Sequence, residues 1–205
     1  MELKPIKDNS ENPCYWDNKY SKNEIGWDIG MPTPIFVNFF KKFKSKKNIL
    51  IPGAGKGHDA LFLSKKNHNV FAVDFSMKAI SHIKNKALDL NTSLNLICED
   101  FFKLKNLNGK IDIILEYTFF CAINPNKRLK YIQKSSELLK TDGLFVAILL
   151  PINKILNDDG PPFGVNLPKT LRDFEKYYDI IKCEKSSLSI KPRVDNEVFV
   201  LMKKK

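Results

Sequence analysis

Short apolar runs alternate with amphipathic stretches through the middle of the chain. Each run holds four to eight mostly apolar residues between turn residues, which is typical of buried strands. The predicted strands are NILIP, NVFAVD, LNLICED, KIDIILEY and GLFVAILLP. The predicted helices between them are HDALFLSKK, SMKAISHIKNKALDL and NPNKRLKYIQKSSELLK, the last of which stops at TDG. This alternation predicts a mainly parallel sheet with helices on both faces.

Capping residues mark where several helices begin. Ser76 and Asn124 are the expected N-caps of two of the core helices. Upstream of the first strand, Pro13 suits the first turn of a helix, and Thr33 followed by Pro34 begins another.

The C-terminal third departs from this alternation. A loop rich in proline and glycine follows Pro151, and a last helix is predicted at about Lys169 to Tyr178. Two strand-like runs then follow without a helix between them, so they are expected to pair as an antiparallel hairpin at the sheet edge. The fold class is therefore α/β, with a seven-stranded, mostly parallel sheet and one antiparallel edge strand.

Composition and charge narrow the class of protein. The 205 residues carry a formal net charge of +11, but only Arg128, Arg172 and Arg193 are arginines, and the lysines are spread from end to end. Because arginine is the preferred residue for bidentate phosphate contacts, we expect no nucleic-acid partner. The positive charge is still expected to attract anionic substrates weakly.

Targeting and redox features point to an ordinary globular protein. The longest apolar run, Leu144 to Leu150, is too short to cross a bilayer, so we expect no membrane partner. The first dozen residues are polar and lack the apolar core of a signal peptide. We therefore expect the protein to be cytoplasmic. Scattered cysteines predict neither a disulfide frame nor a metal site, and Cys98 and Cys121 are expected to be buried thiols.

Three glycines follow the first strand directly, at Gly53, Gly55 and Gly57. In an open parallel sheet, ligands bind beyond the carboxyl ends of the strands, so this turn is the expected ligand site. The spacing is G-x-G-x-G, whereas dinucleotide enzymes use G-x-G-x-x-G, and here His58 follows the third glycine. The shorter spacing is typical of S-adenosylmethionine-dependent methyltransferases.

The next two strand ends carry further candidate ligand contacts. Asp74 ends the second strand, where a carboxylate suits the hydroxyl groups of a ribose. Asp100 and Phe101 follow the third strand, where an acid and an adjacent aromatic ring suit adenine. The three strand ends together predict a site for adenosylmethionine.

Several longer motifs stand out along the chain: GWDIGMPTP, IPGAGKGHD, VFAVDFS, CEDFF, DIILEYTFFCAINPNKR and GPPF. Together they resemble the thiopurine S-methyltransferase superfamily, most closely its thiol/halide methyltransferase branch. The resemblance implies a class I, Rossmann-like methyltransferase fold with an N-terminal helical lid. The sequence contains no internal repeat or inter-domain linker, which predicts one domain over residues 1–205, with the lid segment at 1–45 and the core at 46–205.

The resemblance also implies which residues bind ligands. Aromatic lid residues next to the sulfonium cation of the cofactor would stabilise it. The implied contacts to S-adenosyl-L-methionine, and to its product S-adenosyl-L-homocysteine, are Trp16, Tyr20, Trp27, Gly53, Asp74, Asp100, Phe101 and Tyr117. The expected contacts to the methyl acceptor are Trp27, Phe163 and Arg193.

Two residues depart from the family pattern. Tyr20 stands where the plant branch usually has tryptophan, and Glu116 replaces the more usual aspartate before Tyr117. The loop at 152–166 and the C-terminal hairpin match the family poorly, and they are expected to help select the acceptor.

The implied reaction is an in-line displacement that moves the methyl group onto a small soft nucleophile. A thiol sulfur is favoured, and halide, selenium or tellurium species are also compatible. No metal is expected, and no general base is identified, because His58, His68 and His82 are expected to face solvent and Tyr117 is assigned an orienting role. The protein is expected to be a monomer or weak dimer.

Three other interpretations are weighed against this one. A nucleic-acid methyltransferase is favoured only by the basic charge, and its motifs are absent. A dinucleotide-dependent oxidoreductase conflicts with the glycine spacing. The third is a module that binds adenosylmethionine without catalysis.

Overall fold

Seven strands form one sheet in the order β3-β2-β1-β4-β5-β7-β6. The computed structural model describes residues 9–154 and 160–205. The first eight residues of the predicted polar arm, and residues 155–159 of the loop after the fifth strand, lie outside the described residues. The strands are β1 (Asn48–Pro52), β2 (Asn69–Asp74), β3 (Asn95–Cys98), β4 (Ile111–Tyr117), β5 (Leu139–Leu149), β6 (Tyr178–Glu184) and β7 (Val198–Lys204).

Helices connect the strands and flank both faces of the sheet. Short 3-10 turns at 40–42, 101–103 and 125–127 accompany them. The helices are α1 (Pro13–Ser21), α2 (Pro34–Phe39), α3 (His58–Lys65), α4 (Met77–Asp89), α5 (Arg128–Leu138) and α6 (Leu167–Phe174).

Strand directions confirm the predicted fold class. β1 pairs in parallel with β2 and with β4. The pairs β2–β3 and β4–β5 are also parallel. β7 runs antiparallel to both β5 and β6, so the antiparallel pairing lies at one edge of a mostly parallel sheet. The antiparallel strand is second from that edge, and β6 is outermost.

Alternate residues of β1 enter two separate parts of the core. Ile49 and Ile51 pack on one face of the sheet, together with Phe36 of α2. Leu50 points to the other face, where it belongs to the same cluster as Tyr131 of α5. Because both faces are covered, the central strands β1 and β4 are buried at nearly every position, as the apolar runs in the sequence predicted.

Some element boundaries differ from the prediction. β5 begins at Leu139, before the TDG sequence that was expected to separate helix from strand. Leu139 pairs with Ile111 and Leu144 with Ile113, so the extra residues of β5 form a bulge, in which Asp142 has a φ of 61°. The last helix ends at Phe174 rather than near Tyr178, because Tyr178 is fully buried and already belongs to β6.

Two predicted exposures away from the cavity are wrong. His68 was expected to face solvent, but it is only 7% exposed, and its Nδ1 accepts the backbone N–H of Lys47 at 3.2 Å. Cys98 was expected in the core, but it is exposed because β3 is the opposite edge strand of the sheet. Cys121 is buried as predicted. No helix among the described residues is long and apolar enough to span a membrane.

Predicted N-caps fall into two kinds. The Ser76 hydroxyl accepts the N–H of Ala79, as an N-cap should.

Thr33 begins α2 without capping it; its backbone N–H and its hydroxyl both donate to Asp59 of α3, at 2.7 and 2.8 Å. Burial raises the pKa of Asp59 to about 6 even though both bonds from Thr33 favour the carboxylate. Thr33 therefore ties the end of the N-terminal segment to the core.

We predict that Thr33→Val lowers the free energy of unfolding by about 1–3 kcal/mol at pH 7.5, because the Asp59 carboxylate loses one hydroxyl donor. Thr33→Ser keeps the hydroxyl and serves as the control. Urea denaturation measures both variants, and an equal loss for valine and serine would contradict the role of this bond.

Candidate functional site

The carboxyl ends of the central strands open into one cavity of about 590 Å³. That volume is within the range of cavities that hold small organic ligands. The N-terminal segment covers the cavity from one side, and the loops after β5 and before β7 form another wall. The predicted contacts that line it are Trp16, Tyr20, Trp27, Gly53, Asp74, Asp100, Phe101, Tyr117 and Arg193.

The glycine turn after β1 presents bare backbone to the cavity. Gly53 and Gly55 both have a φ of 57°, a backbone conformation that residues other than glycine rarely adopt. A Cβ atom on Gly53 would lie 2.4 Å from a ring carbon of Phe119, and one on Gly55 would lie 3.3 Å from the Tyr20 hydroxyl oxygen. The glycines therefore serve the turn and the packing around it, and also leave room along the cavity wall.

Asp74 holds the glycine turn from the end of β2. Its Oδ2 accepts the N–H of Gly55 at 3.0 Å and its Oδ1 accepts the N–H of Ser76 at 2.9 Å. Burial raises its pKa to about 6, and the nearby Asp17 adds to the rise, although the backbone bonds oppose it. A carboxylate has about four acceptor positions, so capacity remains for the two neighbouring hydroxyls of a ribose. This residue fits the expected cofactor.

Asp100 and Phe101 line the cavity beyond β3. The Asp100 Oδ1 accepts the N–H of Phe102 at 3.0 Å and caps the short turn there. The Phe101 ring is only 3% exposed and packs against Phe119 and Tyr131, with centroids 5.8 and 5.0 Å away. The acid is held by a hydrogen bond and the ring is packed among other aromatic rings, an arrangement that fits the expected contacts to adenine.

Three aromatic rings of the N-terminal segment meet over the cavity. The Trp27 ring stands edge-to-face with Trp16 and Tyr20, at centroid distances of 5.3 and 5.9 Å. Asp17 of α1 anchors the N-terminal segment to the start of α4. Its Oδ1 accepts the Ser76 hydroxyl at 2.5 Å and the N–H of Lys78 at 3.2 Å. We call residues 13–31 the lid.

A second anchor joins the lid to the glycine turn. The Asp28 carboxylate contacts Lys56 at 3.1 Å and His58 at 2.9 Å, and it accepts the N–H of Gly30. Burial alone would raise the pKa of Asp28, but these contacts outweigh it and hold the pKa below its usual value. His58 therefore faces the lid, which corrects the expectation that it faces solvent.

Tyr117 and Arg193 form the opposite wall. The Arg193 guanidinium lies over the Tyr117 ring at 4.7 Å from the centroid, and its Nη2 donates to the Trp27 carbonyl oxygen at 2.6 Å. Its Nη1 is buried and has no hydrogen-bond partner among the described residues. The Tyr117 hydroxyl donates to Glu197 at 3.3 Å. Burial raises the pKa of Tyr117 above its ordinary value, so it stays a phenol.

Glu116 fixes the loop that follows β4. One carboxyl oxygen accepts the N–H groups of Phe119 and Phe120 at 3.0 and 2.8 Å, and the other accepts the Tyr131 hydroxyl. Burial raises its pKa to about 7. Glu116 therefore supports the cavity wall from behind.

Phe163, an expected acceptor contact, does not line the cavity. It is fully buried, and its N–H donates to the Cys121 carbonyl oxygen at 2.7 Å. Its neighbours Pro161 and Pro162 do line the cavity, so the GPPF motif reaches the site through its prolines. Phe163 instead packs beneath that wall.

The sequence alone left three acidic residues of this region unassigned. Asp28 follows Trp27 directly, so its position in the GWDIG motif was an available signal. Asp17 and Glu197 act across 59 and 80 residues of chain, and no local pattern marks them. Among the residues that the structure describes, no three His, Cys, Asp or Glu side chains are grouped so as to hold a metal ion.

Comparison with known proteins places this geometry in context. A family model described as thiopurine S-methyltransferase (TPMT) matches residues 11–204. The chain is 29% identical over 188 residues to "Probable thiol methyltransferase 2" of Arabidopsis thaliana, covering 90% of this chain and 78% of that protein. It is 31% identical over 157 residues to "Thiocyanate methyltransferase 1" of Brassica oleracea, covering 73% and 66%.

A solved structure supports the fold assignment. The 1,6-didemethyltoxoflavin-N1-methyltransferase of Burkholderia thailandensis, solved with 1,6-didemethyltoxoflavin and S-adenosylhomocysteine, superposes with a TM-score of 0.74 at 16% identity. The match covers 100% of this chain and 92% of that one. The sheet described above is therefore that of a class I methyltransferase.

We predict that Asp28→Asn speeds hydrogen exchange of lid amides 24–31 by about 3- to 10-fold, since the half-buried contacts with Lys56 and His58 contribute about 1 kcal/mol. Asp89→Asn, which removes an exposed ion pair with Lys86, is the matched control. Unchanged exchange in the lid would show that Asp28 does not anchor it.

Proposed function

Because the chain belongs to the thiopurine S-methyltransferase family, we propose that it moves a methyl group by in-line displacement onto a small soft nucleophile, most simply a thiol sulfur. The chain is an S-adenosyl-L-methionine-dependent methyltransferase; the acceptor and the details of transfer are what we propose. The observation that carries the proposal is one cavity shared by the polar strand ends, the aromatic lid and Arg193. Halide, selenium and tellurium acceptors fit the same chemistry.

The donor side of the cavity is formed by the strand ends and the lid. S-adenosylmethionine, when bound, supplies an electrophilic methyl group on a sulfonium sulfur. In this proposal Asp74 holds the ribose, Asp100 and Phe101 hold the adenine, and the turn at Gly53 accommodates the methionine part. The aromatic faces of Trp16, Tyr20 and Trp27 would stabilise the cation by about 0.5–2 kcal/mol. We propose that the lid, residues 13–31, belongs to the N-terminal segment 1–45 of a single domain whose core is 46–205.

The acceptor side is formed by Tyr117, Trp27 and Arg193. The unpartnered Nη1 of Arg193 suits an acceptor that carries or develops negative charge, such as a thiolate or a halide. Catalysis then comes mainly from holding the acceptor close to the methyl group and excluding water beneath the lid. A thiol is a sufficient nucleophile because a few per cent of it is already ionised at pH 7.

Purified protein is expected to bind S-adenosylhomocysteine in calorimetry at micromolar concentrations and to ignore NADH. With labelled donor, it is expected to methylate members of a panel of hydrogen sulfide, methanethiol, aromatic thiols, thiopurine, iodide, selenite and tellurite derivatives. A labelled product only with RNA, or no binding of S-adenosylhomocysteine, would overturn the proposal.

We predict that affinity for S-adenosylhomocysteine falls by roughly 3- to 5-fold between pH 7.5 and 5.5. Ribose hydroxyls donate to the carboxylate form of Asp74, whose pKa of about 6 in the free protein means that it is largely protonated at the lower pH. Binding therefore requires loss of a proton, and affinity rises as the pH rises through 6.

Asp74→Asn provides the control for this pH dependence. Its affinity at pH 7.5 is expected to be weaker by about 1–3 kcal/mol, because a charged acceptor is lost. Calorimetry across the same pH range should give a flat profile for the variant. A variant that keeps the full dependence would assign the titration to another group.

A further inference from the structure

Glu197 is a buried acid that the proposed function leaves without a role. It lies directly before β7 and is 2% exposed. Its Oε1 accepts the hydroxyl of Ser189 at 2.6 Å and its Oε2 accepts the hydroxyl of Tyr117 at 3.3 Å. Glu197 does not itself line the cavity; Tyr117 stands between the two.

The Tyr117 hydroxyl is oriented for a relay. Because it donates its proton toward Glu197 and has Arg193 beside it, one lone pair of its oxygen remains available to a donor in the cavity. The ring is held on one face by the Arg193 guanidinium at 4.7 Å and meets the Phe36 ring edge-on at 6.0 Å. The phenol is therefore a fixed bridge between the cavity and a buried carboxylate.

We propose that Glu197 is the general base for protonated acceptors and that it acts through Tyr117. As the acceptor sulfur bonds to the methyl group, its S–H bond breaks and that proton passes to the Tyr117 oxygen. The proton of Tyr117 passes at the same time to Oε2 of Glu197. The methylated sulfur leaves as a neutral thioether, the donor becomes S-adenosylhomocysteine, and the proton resides on Glu197 until product release.

A base increases the fraction of a thiol acceptor that can react, whereas halides gain nothing from one. An unperturbed thiol has a pKa of about 8.5, so most of it is protonated at pH 7. Moving it out of water disfavours the thiolate further, although Arg193 offsets part of that cost. Iodide carries no proton, so its methylation bypasses Tyr117 and Glu197. This inference rests on the proposed function and deepens it by assigning the proton transfer.

The test compares a thiol with iodide in the Glu197→Gln variant. At pH 7 the ratio of thiol turnover to iodide turnover is expected to fall by about 10- to 100-fold, because general-base catalysis contributes at that scale. The ratio should recover toward that of the unmodified protein above the pKa of the chosen thiol, where the acceptor is already ionised. Glu184→Gln, at an exposed glutamate of β6, is the matched control and should leave the ratio unchanged.

A second variant separates a relay from a structural role. Tyr117→Phe keeps the ring but removes the hydroxyl through which the proton passes. It should therefore lower the ratio of thiol turnover to iodide turnover as much as Glu197→Gln does, and the double variant should lower that ratio no further. Calorimetry with S-adenosylhomocysteine reports whether each variant remains folded around the donor site.

Equal losses of turnover with thiol and with iodide, or a loss of thiol turnover that persists at high pH, would overturn the relay. Failure of the unmodified protein to methylate either acceptor would overturn the proposed function, and the relay with it.

Discussion

The site depends on the buried Asp74 carboxyl group at the end of β2. By accepting the N–H groups of Gly55 and Ser76, it fixes the glycine turn, which lines the cavity, to the start of α4. The parallel order of β3, β2, β1 and β4 brings the other strand ends to the same edge. Burial opposes the charge of Asp74, which is reflected in its pKa of about 6, so the free protein carries an electrostatic cost that suitable hydroxyl donors reduce.

The lid is fastened to three parts of the chain that are far apart in sequence. Asp17 binds the first turn of α4, Asp28 binds the glycine turn, and the Trp27 carbonyl oxygen accepts Nη2 of Arg193 from the loop before β7. The proposed cofactor and acceptor sides of the cavity are thus joined through one short segment, which carries the rings of Trp16, Tyr20 and Trp27.

Local patterns predicted the strand ends well, because an apolar run followed by glycine or aspartate is a short-range signal. Gly53, Asp74 and Asp100 were all found in this way, and the structure brings them to one cavity. Contacts across the fold left no such signal: Glu197 reaches Tyr117 over 80 residues. Phe163 was misplaced because two prolines beside it share its motif, and sequence proximity does not tell which of them faces the cavity.

The two walls of the cavity come from separable stretches of chain. The glycine turn, Asp74 and Asp100 lie within the first half, whereas Pro161, Pro162 and Arg193 lie in the last quarter, between β5 and β7. Substitutions in the later stretch can accumulate without altering the strand ends. In the proposed site, descendants of one ancestral gene can therefore vary this part of the acceptor side while inheriting the same donor side, and a chimera exchanging residues 150–197 between two relatives would inherit the later wall as a unit.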